Sequence, residues 1–75
     1  MTPIENAHRL TTAADNCAAD TAGNAKEAKY CLEAGDFAAC KQRMEWMVSN
    51  AEAALSNARR ALVILNDLAK AGASK

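Results

Sequence analysis

Three cysteines, one histidine and one tryptophan are the residues of this 75-residue chain with the most chemistry to offer. A thiolate can attack an electrophile, close a disulfide or ligate zinc, and spacing separates the three cases. Cys31 and Cys40 bracket the stretch "LEAGDFAA", which contains an obvious chain reversal at Gly35-Asp36. Cys17 lies about 21 Å further along a helix, at 1.5 Å per residue, and His8 is more distant still. The three thiols therefore cannot share one metal ion within a chain. A structural zinc site wants four ligands at tight local spacing, which this pattern does not supply. No metal site and no cofactor are expected.

Nucleophilic catalysis needs a base beside the thiol. The sole histidine, His8, falls at the opposite end of a hairpin from Cys31 and Cys40. There is no glycine-rich phosphate loop, and no paired carboxylates stand out from the ordinary solvated charges. The chain does not read as an enzyme. The cysteines read as small packing residues that substitute for alanine. A redox-sensitive Cys31–Cys40 pair is the alternative, because a hairpin sets the two on neighbouring turns, within reach of the roughly 4.4–6.8 Å Cα separation of a disulfide.

The aromatic residues suggest binding. Trp46 has Gln42, Arg43, Ser49 and Asn50 within one turn, and Tyr30 has Lys26, Lys29 and Glu33. Neither aromatic is expected to reach the seam between the helices. An exposed aromatic beside arginine and amides is the usual material of an interface anchor. It can equally stack on a base while Arg43 holds a phosphate, or simply pack within an oligomer. Trp46, Arg43, Tyr30 and Asn50 form the candidate partner- or ligand-binding set.

The elements that must position these residues are helices. Alanine supplies half of the 51% apolar content, strand formers are scarce, and the fold class is all-α. Thr2 is an N-cap, with Pro3 at the first helical position and Glu5 completing a capping box. Gly35 closes this helix in the left-handed conformation and Asp36 caps the next. The sequence predicts a single domain, 1–75, with helix 1 over about 3–34, a turn at 35–36 and helix 2 over about 37–71. Helix 1 is expected to continue through Gly23, which lands opposite the seam; a break at Gly23-Asn24, giving three helices, is the alternative. Gly72 is expected to end helix 2 and leave 73–75 frayed.

Apolar periodicity predicts the faces. Ile4, Ala7, Thr11, Ala14, Ala18, Thr21, Ala25, Ala28 and Leu32 alternate by three and four in helix 1. Phe37, Cys40, Met44, Met47, Ala51, Ala54, Ala58, Ala61, Leu65 and Leu68 do so in helix 2. Val48, Leu55 and Leu62 recur every seven residues beside that seam, and the run Ala61 to Leu65, which includes Ile64, is apolar around its whole circumference. Helix 1 is too lean to cover this surface. Val48, Leu55, Leu62 and Ile64 are therefore expected at an oligomer interface. A long antiparallel hairpin assembling into a four-helix bundle, or a higher helical oligomer, is the predicted architecture, with a dimer the first expectation. A different protein filling that surface is the competing reading.

Nine acidic and nine basic residues leave no net charge, which argues against phosphate-backbone binding. No apolar segment reads as a signal peptide or a membrane span, so a cytoplasmic chain with reduced thiols is expected. In size and hairpin form the chain resembles small dimeric plasmid regulators that bind RNA as four-helix bundles. Those need a basic face. Here Arg9, Lys26, Lys29, Lys41, Arg43, Arg59 and Arg60 scatter over several faces, so nucleic acid is not the expected partner. The reading that results is a non-catalytic interaction protein, an accessory or inhibitory factor that self-assembles and binds a protein. An oligomer sequestering nucleotide-like ligands between subunits is the alternative, and an RNA-binding regulator the third.

If the thiols only pack, replacing Cys17, Cys31 and Cys40 together by alanine keeps the helical circular dichroism signal, at a cost of order 1 kcal/mol each. Stoichiometric zinc in the purified protein would overturn that reading.

Overall fold

Local hydrogen bonds at three chain positions set the helix boundaries. At Thr2 the Glu5 amide donates to Oγ1 at 3.1 Å, and the Thr2 amide donates back to Glu5 Oε1 at 3.4 Å. This reciprocal box satisfies two of the amides that a helix start leaves unpaired. At the other end, the Asp36 amide donates to the Cys31 carbonyl at 2.9 Å and the Gly35 amide to that of Leu32 at 3.1 Å. That double closure is a Schellman motif, and it requires the left-handed backbone that Gly35 adopts at φ 77°. Asp36 then serves both helices, because its Oδ1 accepts the Ala39 amide at 3.1 Å and caps the second.

The computed structural model describes residues 1–73 as α1 (Pro3–Glu33) and α2 (Phe37–Ala73), packed as an antiparallel hairpin. No strand occurs among the described residues. α1 passes unbroken through Gly23, as the register requires. α2 continues through Gly72 to Ala73, past the expected stop, and Ser74 and Lys75 lie outside the described residues. No helix among the described residues is long and apolar enough to cross a membrane.

The two helices meet on a face rotated from the one apolar periodicity predicts. On α1 the covered positions run through Ala7, Leu10, Ala14, Cys17, Thr21, Asn24, Ala28 and Cys31, with Asn6, Ala13 and Ala25 beside them; on α2 they run through Cys40, Arg43, Met47, Asn50, Ala54, Asn57, Ala61, Ile64 and Leu68, with Ala39, Ala51, Ala53 and Ala58 beside them. Most of each predicted stripe is covered. The exceptions are Ile4, Thr11, Ala18 and Leu32 on α1, with Phe37, Met44 and Leu65 on α2. The reason is the width of the apolar sector. It exceeds what one partner helix covers, so the contact centres on Ala7, Leu10, Ala28 and Ala61, three of them small. One apolar edge is left outside.

Little is buried as a result. Among the described residues, Ala7, Leu10, Ala28 and Ala61 form the fully enclosed core, and Leu10 is its one large side chain. The hairpin measures 58 × 21 × 13 Å, with a radius of gyration of 16.9 Å against about 11 Å for a compact chain of this length. Its surface is 5423 Å², where a compact monomer of 7.9 kDa exposes roughly 4,400 Å².

Leu10→Ala removes the one large buried anchor and is expected to cost about 2–5 kcal/mol. Gly35→Ala meets no atom within 4 Å, so its cost is the backbone strain alone, about 1–2 kcal/mol. Urea unfolding followed by circular dichroism checks both, and midpoints equal to that of the unaltered chain would refute the account.

Candidate functional site

The long grooves on either side of the helix seam differ in chemistry. On one side Ala14, Ala18 and Thr21 of α1 face Ala51, Ala54, Leu55 and Ala58 of α2. The same groove character continues toward the turn between Ala25, Ala28, Leu32 and Cys40, Met44, Met47. Lys29 is the one charged residue along both stretches. This is the alanine-rich edge.

The other edge carries polar groups. Asp20, Gly23, Asn24 and Glu27 of α1 line a cleft of about 510 Å³ with Arg43, Trp46 and Asn50 of α2. Steps of three and four along each helix bring these residues onto one face. The Arg43 guanidinium carbon lies 5.0 Å from the centre of the Trp46 ring, a cation–π distance. Nη1 of Arg43 also donates to Asn24 Oδ1 at 3.4 Å, a bond that joins the two helices. The arginine is therefore held in place by its own chain. Gly23 lies in the same cleft, and a Cβ there would meet nothing within 4 Å.

Among the sequence-selected residues, Trp46, Arg43 and Asn50 thus converge in one cleft. Tyr30 is exposed and does not line it. Trp46 is 45% exposed, so it keeps part of its ring in solvent while the rest covers the cleft. Leu55 lines the alanine-rich groove, and Val48 and Leu62, seven residues to either side of it, stand about half exposed. Ile64 is different. It is partly covered at the open end of the hairpin, in a cleft with Pro3 and Asn6 of α1, so it belongs to the edge of the seam and not to the outward row.

Asp20, Gly23, Asn24 and Glu27 were not singled out by sequence reasoning. Periodicity assigned Gly23 to a position without packing consequence, and the structure sets it across from Trp46. The signal that could have found them is the polar i, i+3, i+7 row on α1 opposite the Arg43–Trp46–Asn50 row on α2. That row is visible only once the seam is centred correctly.

The cysteines are free thiols, each partly covered. Cys17 contributes its carbonyl to the Thr21 hydroxyl at 2.8 Å, which allows a threonine to sit in the seam with its polar atom satisfied. No group of three or more His, Cys, Asp or Glu among the described residues is placed to hold a metal ion.

Arg43→Ala is expected to cost about 0.5–1 kcal/mol of stability, the scale of an exposed cation–π pair. Because Trp46 is the only tryptophan, the same change should shift the protein's fluorescence emission to longer wavelength as water replaces the guanidinium. An unchanged spectrum would show that the stacking does not persist in solution. No protein-family model, curated protein or solved structure matches this chain, so its function is read from the geometry.

Proposed function

We propose that the hairpin is a non-catalytic interaction protein that assembles with copies of itself and uses the Trp46 face to bind another macromolecule. The observation that carries this reading is the mismatch between apolar surface and core. Phe37 is 69% exposed, Leu62 55%, Val48 51% and Leu55 50%, whereas among the described residues Leu10 alone is a large side chain fully enclosed. A contiguous exposed apolar row of this kind marks an interaction surface.

A second copy is the occupant of the alanine-rich edge. The surface excess over a compact monomer is of order 1,000 Å², and a standard interface buries about 800 Å² per partner. The groove is nearly free of charge, so two copies meeting there desolvate few ionised groups. Its alanines let helices approach closely, and a pair of hairpins joined this way forms a four-helix bundle. The polar edge stays in solvent, where the partly exposed Trp46 has the character of an interface anchor.

Light scattering at micromolar concentration is expected to give an oligomer, and Leu62→Glu is expected to dissociate or unfold it. A folded monomer for the unaltered protein would refute self-assembly. Trp46→Ala is expected to preserve the oligomer and weaken partner binding by about 2 kcal/mol, the hot-spot scale.

A further inference from the structure

We infer that the cleft between Gly23 and Trp46 receives a basic side chain, arginine or lysine, from a partner protein. The inference rests on the reading of the Trp46 face as a binding surface and names the chemistry of what binds there. Three observations carry it.

The first is the charge in the cleft. Asp20 and Glu27 contribute two carboxylates, and Arg43 contributes the single cation. Among the described residues, neither carboxylate takes part in an ion pair or side-chain hydrogen bond; the ion pair within 4.0 Å is Lys41 with Glu45, at 3.6 Å. The second is that Arg43 lies over the Trp46 ring at 5.0 Å and donates through one nitrogen to Asn24 at 3.4 Å. A phosphate entering this cleft would meet one guanidinium, partly occupied in this way, beside two free carboxylates. A cation would find two unpaired acceptors instead. The third is the space. Gly23 has no side chain, and nothing lies within 4 Å of where its Cβ would be. A long unbranched side chain can lie along the α1 backbone there, with its stem against the Trp46 ring and its charged head on Asp20 or Glu27. Arginine and lysine have that form.

The two carboxylates are seven residues apart on one helix, about 10 Å along its axis. One cationic head reaches one of them. A segment with two basic residues at a matching separation engages both, as adjacent turns of a helix or an extended strand provide.

Titration of the intact protein with hexa-arginine, read by Trp46 fluorescence, tests this directly, since the chain holds one tryptophan and no net charge. A saturable change is expected with hexa-arginine and none with hexa-glutamate. Asp20→Asn combined with Glu27→Gln should weaken the response about tenfold or more, the scale of a lost charge-assisted hydrogen bond. Gly23→Leu should abolish it while helicity, by circular dichroism, is unchanged or higher, because leucine occupies the cleft and favours helix.

No saturable response to hexa-arginine overturns the inference. So does a response of equal strength in the double carboxylate variant, which would mean diffuse attraction elsewhere on the chain. A response to ATP that disappears in Arg43→Gln would assign the cleft to anionic ligands and overturn it also. Light scattering on the same samples separates the two levels of the argument. An oligomer that ignores hexa-arginine refutes the basic partner and leaves self-assembly standing.

Discussion

Two helices lying side by side can hide only one sector of each other, and that limit governs this molecule. An α-helix with apolar residues at two of every seven positions is served by one neighbour; one with a wider sector is not. α2 carries Phe37, Met44, Val48, Leu55, Leu62 and Leu65 outside the sector that α1 covers. α1 cannot answer with large side chains, since apart from Leu10 its covered row consists of alanine, cysteine, threonine and asparagine. The hairpin is specified by its caps and its turn more than by its core. The Thr2 box, the Gly35 closure and the Asp36 cap determine where helices begin and end, and the seam then holds them together only loosely.

From that limit follows the division of the molecule into two unlike edges. Where helices meet through small side chains, the residues flanking the seam decide what each groove can do. Alanine, leucine and methionine flank it on one side, which makes a surface suited to another helix layer. Asparagine, arginine and acids flank it on the other, where they keep access to water. Asn24, Arg43, Asn50 and Asn57 can occupy inward-facing positions only because none is fully enclosed. No buried side-chain polar atom among the described residues is left without a partner. Full enclosure of those amides would leave donors and acceptors unpaired at a cost of about 1–3 kcal/mol each. The polar edge is therefore the poorer choice for burial in a helical bundle.

The parts of this fold that were legible in the sequence are those encoded locally. Thr2, Pro3 and Glu5 mark one helix start, Gly35 and Asp36 mark the reversal, and each does in the structure what its chemistry predicts. The rotation of the helices about their axes was legible only in part. Apolar periodicity selects the widest stripe, and in this chain that stripe is the sum of two surfaces, the seam and the alanine-rich edge. Ala7 and Ala61 lie on the first; Ala18 and Ala51 line the second. Nothing in a single sequence divides such a sum. The same ambiguity concealed the site: Trp46, Arg43 and Asn50 stand out by residue type, but Gly23 and Asp20 acquire meaning only from the face they share with Trp46.

Closed symmetry connects the two edges in the proposed assembly. A twofold dimer buries the same surface on both copies, so pairing through the alanine-rich edge turns both Trp46 clefts outward, on opposite sides of the bundle. The two clefts then act as separate sites, and a short partner segment occupies one without reaching the other. Pairing through the polar edge would instead bury Asp20, Glu27 and Arg43 of both copies, with both tryptophans removed from solvent. Four carboxylates and two guanidinium groups would have to be desolvated, a cost that the alanine-rich edge does not carry. In the proposed assembly the distribution of charge thus favours the alanine-rich edge for joining copies, and the same choice leaves the Trp46 cleft facing solvent.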